Sequence, residues 1–303
     1  MAFKVPGSIR SSWRNEGFVL VAVLWILGGL ATLATVYAVY VVNAAAGLSV
    51  DKDRLQVEAS MHGALELTAY YLSAVGQQAR PSNGSFDLQL AGYHVGVSFV
   101  SEAARIDLNA AGKPVLAGLF RVLGAPSELA DEYADRIEGW RKPSGEEIAS
   151  RDKEVAAYRA AGIPYDPRQH PFENVQELWL VLGLPPAMVA RALPFVTVFS
   201  GAPTVNVMNA APEVLAALPG MTASRLNDVL ALRGARPAEA QAVLAELGPA
   251  QSDASADAGK TFRVRMDISL PRRHRMTAEA VILLLQDAPD PYRVLFWNDG
   301  FDG

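Results

Sequence analysis

Four acidic side chains lie close together on one predicted helix and could support acid–base chemistry. One of them, Asp135, lies three or four residues from each of the other three, which places them on one helix face. They are Asp131, Glu132, Asp135 and Glu138. A row of this kind is also typical of a solvated helix face. Since the sequence has no nucleophile elbow, no glycine-rich phosphate loop after a strand and no His-centred triad spacing, we predict that the protein is not an enzyme.

Metal and redox chemistry is restricted as well. The chain contains no cysteine, which excludes disulfides, thiolate metal sites and cysteine nucleophiles. The four histidines form no pair at the spacing of helical metal ligands. They are His62, His94, His170 and His274. We therefore expect no structural zinc site and no required cofactor.

A tight turn at Pro219-Gly220 lies between two predicted helices and resembles a helix-hairpin-helix unit. The backbone N–H groups of such a unit can bind a phosphate. Three acidic residues balance the three nearby arginines, and the net charge of the whole chain is −5. The arginines are Arg225, Arg233 and Arg236, and the acids are Glu213, Asp228 and Glu239. Because DNA binding depends on a basic excess, we expect no nucleic-acid partner; a membrane-anchored periplasmic DNA-binding protein is the alternative function.

An apolar segment from Phe18 to Val42 contains 25 residues and no charge. About 20 apolar residues are enough to cross the hydrocarbon layer, so the segment predicts one transmembrane helix. The preceding cations Lys4, Arg10 and Arg14 predict a cytoplasmic N-terminus and a periplasmic remainder. The run is longer than the core of a signal peptide, which has roughly 7 to 15 residues. An uncleaved signal anchor and a cleavage after Ala46 are the alternatives.

The pattern of apolar residues over 43–108 predicts a helix packed on a β-hairpin. From Leu48 to Gln78, apolar residues recur every three or four positions, as on a helix that buries one face. The predicted face consists of Leu55, Ala59, His62, Leu65, Leu67, Ala69, Tyr70, Leu72 and Val75. Alternating runs over Phe86–Leu90 and Tyr93–Val100 predict the hairpin. A third extended run, Arg105–Leu108, ends at Asn109, which is predicted to cap a helix.

Residues 109–248 predict an all-helical insertion. Its first helices are predicted over Val115–Leu123, Ser127–Trp140, Glu146–Ala161, Val175–Leu182 and Pro186–Leu193. An internal repeat matches Asn109-Ala110-Ala111 with Asn209-Ala210-Ala211, and Val115–Leu119 with Val214–Leu218. The insertion is therefore predicted to contain two related helix-hairpin-helix or SAM-like units.

Residues 249–260 are small and polar and predict a linker. Alternation then predicts three strands, Phe262–Leu270, Thr277–Leu285 and Tyr292–Trp297, which form an antiparallel meander within 261–303. One sheet made from both strand groups buries all the apolar faces most simply. The predicted fold class is α+β and pilin-like: a long N-terminal helix, transmembrane and then amphipathic, packs on an antiparallel sheet from which the helical insertion protrudes.

The junction Glu16-Gly17-Phe18 resembles the processing site of type IV prepilins and type II secretion pseudopilins, because a basic leader ends in Gly before an apolar helix. The resemblance implies that residues 1–17 are a leader, that a prepilin peptidase cuts between Gly17 and Phe18, and that Phe18 becomes N-methylated. These families usually carry Glu at the fifth mature position, where this chain has Ala22. A carboxylate in an apolar bundle is costly without a cation, so its absence suits a tip subunit with no neighbour above it.

The chain also resembles one class of these proteins, the large minor pseudopilin K of type II secretion, which lacks the same Glu. The segments that carry the resemblance are Arg105–Asn109, Pro171–Leu178, Val205–Pro212 and Tyr292–Trp297. The resemblance implies a bacterial inner-membrane protein that forms and caps the pseudopilus tip with minor pseudopilins I and J. It further implies contacts with prepilin peptidase, inner-membrane lipid and other secretion-system components.

Calcium binding in the insertion is also implied by the resemblance, through acidic residues that follow a Trp similar to Trp140. Here Arg141 and Lys142 replace the expected acidic pair. Calcium takes about six to eight oxygen ligands, several of them carboxylates. The candidate Ca2+ ligands are Glu146, Glu147 and Asp152, and the alternative is that these residues form a solvated helix face.

Overall fold

The computed structural model describes residues 16–76, 79–141, 148–235, 240–269, 275–286 and 288–302. The chain divides into two compact parts, residues 1–59 and residues 60–303. Helix α1 (Glu16–Ala74) begins in the N-terminal part and ends in the C-terminal part. The predicted transmembrane segment therefore falls in the N-terminal part, and all described strands fall in the C-terminal part.

The part of α1 from Phe18 to Val42 is apolar on every side. Its mean hydropathy is 2.4, and none of it is buried within the protein. Trp25 is 79% exposed and Leu33 is 66% exposed. A helix that is hydrophobic all round requires lipid or protein around it, and by length and composition this segment can cross a membrane.

The last turns of α1 bury one face against a sheet. The buried side chains recur at intervals of one and three residues: Met61, Ala64, Leu65, Thr68, Ala69 and Leu72. At the edge of this face, His62 stacks on Trp297 with ring centroids 4.8 Å apart. The predicted apolar face is partly wrong, because five of its nine residues are exposed: Leu55, Ala59, His62, Leu67 and Tyr70. At about 100° per residue, Leu67 and Tyr70 lie about 200° and 140° around the helix from Leu65, so they point away from the sheet.

Strands β1 (Asn83–Leu90) and β2 (Tyr93–Ser101) form the predicted antiparallel hairpin. Their two-residue turn consists of Ala91 and Gly92, which have φ angles of 51° and 88°. Positive φ at both turn residues suits the twist of the strands, and Gly92 adopts it without steric cost. Gly92 thus favours the turn locally, whereas Ala91 adopts a positive φ at a steric cost.

The insertion combines helices with very short strands. The described helices are α2 (Lys113–Val122), α3 (Ser127–Arg141), α4 (Ile148–Ala160), α5 (Pro186–Ala192), α6 (Pro212–Ala216), α7 (Ala223–Ala235) and α8 (Ala240–Glu246). Short 3-10 helices cover Glu102–Ala104, Val175–Leu180, Leu193–Phe195 and Gly248–Asp253. The strands are β3 (Ile106–Asp107), β4 (Val196–Thr197), β5 (Val205–Asn206) and β6 (Ala254–Ser255). Strand β3 pairs in parallel with β4, and β5 with β6, so the insertion is not purely helical.

Asn109 does not cap a helix as predicted. The N-cap of α2 is Gly112, which makes no side-chain hydrogen bond. A proline in the first turn of α2, Pro114, has no N–H group, so fewer donors there need a cap. Asn109 instead binds Phe172, donating to its carbonyl at 2.9 Å and accepting from its amide at 2.7 Å. The side chain therefore connects two distant parts of the insertion.

Two halves of the insertion repeat one structural unit. Each begins with a short strand and continues through a helix (α2 or α6), a glycine of positive φ (Gly124 or Gly220) and a second helix (α3 or α7). A buried apolar cluster, made only of residues from 106 to 250, includes side chains from both halves. The two units therefore share one hydrophobic core.

An arginine near the end of the second helix of each unit corrects the predicted alignment of the repeat. Arg141 donates to the carbonyl oxygen of Ala111 at 2.7 Å, and Arg233 donates to that of Ala210 at 2.7 Å. These two carbonyls occupy equivalent positions, so Ala111 corresponds to Ala210. The predicted match of Ala111 with Ala211 is out of register by one residue, because it rested on a coincidence of residue types.

Helices α2 and α6 meet at Gly118, where the backbones of the two repeat units are in close contact. A Cβ atom at this position would lie 1.9 Å from the carbonyl oxygen of Ala217. In the corrected alignment, Gly118 and Ala217 are equivalent positions of the two units. Only glycine allows this approach, since any side chain would overlap backbone that belongs to the other unit.

Residues 249–260, predicted to be a linker, are fixed by several contacts. They include β6 and most of the 3-10 helix Gly248–Asp253. The three residues Asp257–Gly259, here called the strap, accept side-chain hydrogen bonds on successive carbonyl oxygens. The donors are Asn206 to Asp257 (2.7 Å), Ser101 to Ala258 (2.5 Å) and Arg80 to Gly259 (3.1 Å). The absence of apolar periodicity, on which the linker prediction rested, does not reveal bonds of this kind.

Strands β7 (Thr261–Ser269), β8 (Arg275–Leu284) and β9 (Tyr292–Asp302) form the second strand group. Strand β7 pairs with β2, which gives an antiparallel sheet of order β1-β2-β7-β8-β9. Ser101 of β2 lies opposite Phe262 of β7, so the insertion leaves and re-enters the sheet at neighbouring positions. The predicted pilin-like α+β arrangement is confirmed.

Replacing Gly118 by alanine is expected to destabilise the insertion. The new Cβ would overlap the Ala217 carbonyl, and overpacking of this kind typically costs about 1–3 kcal/mol of unfolding free energy. Urea unfolding of the purified full-length protein, followed by tryptophan fluorescence, measures the change. The matched control is Gly234→Ala, also within a helix, where a Cβ meets nothing within 4 Å; there the helix propensity of alanine should leave stability equal or higher. Equal stability of the two variants would contradict the proposed close contact.

Candidate processing site and polar centres

The predicted cleavage pair, Gly17 and Phe18, lies in the first turn of α1, which begins at Glu16. Phe18 is 77% exposed, and Ala22 is half-buried. Residues 1–15 of the predicted leader lie outside the described residues. No carboxylate occurs between Phe18 and Val42, so this helix offers no partner for a neighbouring ammonium within the apolar segment. Cleavage and N-methylation at this junction stay predictions.

Each carboxylate of the acidic row on α3 faces its own cation. The pairs are Lys113–Asp135 (2.6 Å), Arg121–Asp131 (3.0 Å), Arg136–Glu132 (3.6 Å) and Arg141–Glu138 (3.5 Å). The first two pairs connect α2 to α3. The hydrogen bond from Lys113 to Asp135 raises the pKa of the lysine, which keeps the ammonium charged. Two carboxylates of the row are therefore paired between helices and two within α3, in agreement with the interpretation as a solvated face.

Trp140, which the calcium prediction depends on, is buried inside the first unit. Its indole N–H donates to Glu177 Oε2 at 3.1 Å. Arg141, the next residue, donates to the carbonyl oxygens of Leu108 and Ala111, and burial lowers its pKa. The cation that replaces the first expected calcium ligand thus has a structural role, because it satisfies the carbonyls of the turn before α2.

The candidate calcium ligands themselves are not among the side chains that the structure describes. Glu146 and Glu147 lie outside the described residues, and Asp152 lies in α4 in a stretch whose side chains are not described. Within the described residues, no group of three His, Cys, Asp or Glu side chains could hold a metal ion. Calcium binding by Glu146, Glu147 and Asp152 therefore stays a prediction.

The turn at Pro219-Gly220 connects α6 to α7, as predicted for a helix-hairpin-helix unit. Two of its three nearby arginines bind carbonyl oxygens of their own chain. Arg225 donates to Gly220 at 3.3 Å, and Arg233 donates to Ala210 at 2.7 Å. Arg236 lies outside the described residues. Since these two guanidinium groups already bind the backbone, no observation favours phosphate binding at this turn.

A buried carboxylate that no sequence motif predicts lies where the insertion joins the sheet. Glu102 is fully buried, and its Oε1 accepts hydrogen bonds from Arg105 (3.2 Å) and from Arg263 of β7 (2.6 Å). Its Oε2 accepts a hydrogen bond from the hydroxyl of Thr197 in β4. Arg263 also pairs with Glu279 of β8. These five residues are called the polar joint below.

The electrostatics of the polar joint follow from its burial. Burial alone would lower the pKa of Arg263, but its contacts with Glu102 and Glu279 outweigh this effect and raise the pKa. Burial lowers the pKa of Arg105, against the opposing effect of Glu102. The buried carboxylate of Glu102 is tolerated only because both of its oxygens accept hydrogen bonds. No local sequence pattern indicates the role of Glu102, because two of its three partners, Thr197 and Arg263, come from segments far along the chain.

Comparison with known proteins agrees with this architecture. Residues 97–201 match the family model described as "Type II secretion system (T2SS), protein K". This range runs from β2 to just beyond β4, and it contains the first unit of the insertion together with Glu102 and Thr197. No curated protein matches the chain.

A solved structure shares the fold over most of the chain. It is a chain in the crystal structure of the GspK-GspI-GspJ complex from the enterotoxigenic Escherichia coli Type 2 Secretion System. The two chains are 17% identical with a TM-score of 0.54, and the match covers 82% of this chain and 99% of that chain. At this level of identity the likeness establishes a common fold.

Replacing Arg141 by alanine is expected to lower the free energy of unfolding by about 1.5–3 kcal/mol, the range for hydrogen bonds that involve a charged group. The substitution leaves the carbonyl oxygens of Leu108 and Ala111 without their donor. Urea unfolding of the full-length protein measures the loss. The control is Arg121→Ala, which removes an exposed ion pair and should change stability by less than about 0.5 kcal/mol. Similar losses in both variants would mean that Arg141 has no special role in the turn.

Proposed function

We propose that this chain, which belongs to the type II secretion system protein K family, is a minor pseudopilin that ends and caps the pseudopilus. The observation that carries the proposal is helix α1. Its first part is apolar on every side, and its last turns pack on an antiparallel sheet that a large insertion interrupts. A subunit of this form can anchor in a membrane through its helix and present a folded domain outside it.

Two features support a position at the tip of the fibre. Ala22 stands where related subunits carry a glutamate, and a subunit with no neighbour above it gains nothing from a buried carboxylate. The insertion between Ser101 and Phe262 adds a second folded body beside the sheet. Its bulk would prevent a further subunit from stacking above, which closes a head-to-tail assembly.

The proposed partners are minor pseudopilins I and J. The solved structure that shares this fold is part of a complex of GspK with GspI and GspJ, and the common fold supports an equivalent complex here. The cations Lys4, Arg10 and Arg14 support a single-pass inner-membrane protein with a cytoplasmic N-terminus and a periplasmic body. Prepilin peptidase, inner-membrane lipid and other secretion-system components complete the proposed set. The contribution to protein export is assembly by shape rather than a catalytic step.

Processing at Gly17/Phe18 is the first prediction of this function. Full-length protein expressed with a prepilin peptidase should begin at an N-methylated Phe18, and protein expressed without it should keep residues 1–17. Intact mass and N-terminal sequencing measure both. Gly17→Leu should block the cut, while Gly7→Leu, a matched change within the leader, should leave it intact. A peptidase-independent start, including one after Ala46, would contradict the pseudopilin assignment.

Formation of a ternary complex is the second prediction. Processed full-length protein in detergent should retain minor pseudopilins I and J of the same secretion system together at about micromolar concentration. Affinity capture followed by size-exclusion chromatography measures the complex. An unrelated single-pass membrane protein with the same affinity tag is the control. Failure of I and J to bind at this concentration would exclude the proposed tip complex.

A further inference from the structure

Polar groups connect the insertion to the sheet through the polar joint and the strap. The buried apolar cluster of the insertion is made only of residues from 106 to 250, so it contains no side chain of the sheet. The polar joint and the strap are neighbours where the insertion leaves and re-enters the sheet, because Ser101, which binds the strap, directly precedes Glu102. Both consist of hydrogen bonds between groups that are buried or partly buried.

Glu102 connects three separate segments through one carboxylate. Arg263 belongs to β7 of the sheet, and it approaches Oε1 of Glu102 at 2.6 Å. Thr197 belongs to β4 of the insertion, and its hydroxyl donates to Oε2. The same hydroxyl accepts a hydrogen bond from the Phe199 amide at 3.2 Å. The hydrogen bond between Glu102 and Thr197 therefore connects the residue that follows β2 directly to β4, at the end of the first repeat unit.

The strap fixes the second unit in a similar way. Asn206 of β5 donates to the carbonyl oxygen of Asp257. Ser101, the last residue of β2, donates to the next carbonyl, and Arg80 donates to the one after it. The guanidinium of Arg80 also donates to Leu72 of α1 at 2.9 Å. The insertion is thus held by several directional bonds of the polar joint and the strap, which together oppose its rotation on the sheet.

Hydrogen bonds of this type fix an angle more strictly than apolar packing does. Apolar burial is non-directional, whereas a hydrogen bond weakens steeply when its geometry changes. A buried carboxylate that loses a partner also carries a desolvation penalty, so a small rotation of the insertion would be opposed. The arrangement suits a body that must hold one orientation.

We propose that the bond between Thr197 and Glu102 fixes the orientation of the insertion on the sheet, and that protein export needs this fixed orientation in addition to assembly of the tip complex. The inference rests on the proposed function. An insertion that rotates on the sheet would present its outer surface at no fixed angle, even with every partner bound. The polar joint is therefore a conformational device of the cap.

The test compares Thr197→Val with Thr197→Ser in the full-length protein in detergent. Valine has the shape of threonine but removes the hydroxyl, whereas serine retains it. Hydrogen–deuterium exchange should show protection lower by about ten- to a hundredfold in Thr197→Val over residues 102–108 and 197–201. Protection in β8 and in the core of α2 and α3 should stay unchanged. Thr197→Ser should match the wild type throughout.

The matched control is Thr277→Val, which removes a threonine hydroxyl bonded to Asp267 at 2.7 Å on a part of the sheet outside the polar joint. It should leave exchange at the joint and protein export unchanged. Glu102→Gln is a second variant of the joint, and it should lower the same protection as Thr197→Val. Equal protection at the joint in Thr197→Val and the wild type would overturn the structural half of the inference.

Export is then measured in cells that lack the chromosomal copy and carry each variant. Thr197→Val should lose most export while still capturing minor pseudopilins I and J, and Thr197→Ser should restore export. Normal export by Thr197→Val, despite lowered protection, would overturn the functional half. If the wild-type chain neither captures I and J nor supports export, the proposed function itself fails, and the exchange data still decide the role of the joint.

Discussion

The pairing of β2 with β7 constrains the rest of the structure. Ser101 and Phe262 are opposite each other in the sheet, so everything between them must leave and return at one place. Bringing the ends of so long a segment together costs conformational entropy, and the segment offsets this cost by folding around its own hydrophobic core. The parallel pairs β3–β4 and β5–β6 then bring the ends of each unit together, so that the chain can rejoin the sheet.

The two repeat units of the insertion are stabilised by equivalent residues at equivalent positions. Each uses an arginine to satisfy the carbonyls of its first turn and a glycine to reverse direction between helices. Neither unit is large, and small units bury too little apolar surface to be stable alone. Their contact at Gly118 lets backbone meet backbone, which joins two small cores into one.

Helix α1 has two different patterns of apolar residues along its sequence. Between Phe18 and Val42 every face is apolar, which suits lipid, while Met61, Leu65 and Leu72 share a single buried face on the sheet. The change of pattern along the helix separates anchoring from folding. This stretch of α1 has apolar residues on both of its faces, so the sequence pattern does not show which face is buried. The position of the sheet leaves Leu67 and Tyr70 exposed.

The sequence by itself determined the features that depend on local pattern. The apolar run of α1, the β1–β2 hairpin with its Ala91-Gly92 turn and the alternation of β7 all follow from spacing and turn chemistry. The repeat was visible too: the match of Val115–Leu119 with Val214–Leu218 has the register of the structure, whereas the match of Asn109 with Asn209 is one residue off. Only the tertiary structure decided the roles of Glu102, Arg141 and the strap, because their hydrogen-bond partners lie far away in sequence. A period in the sequence records which side of one element is buried, whereas a buried polar contact depends on two or three elements meeting at hydrogen-bond distance.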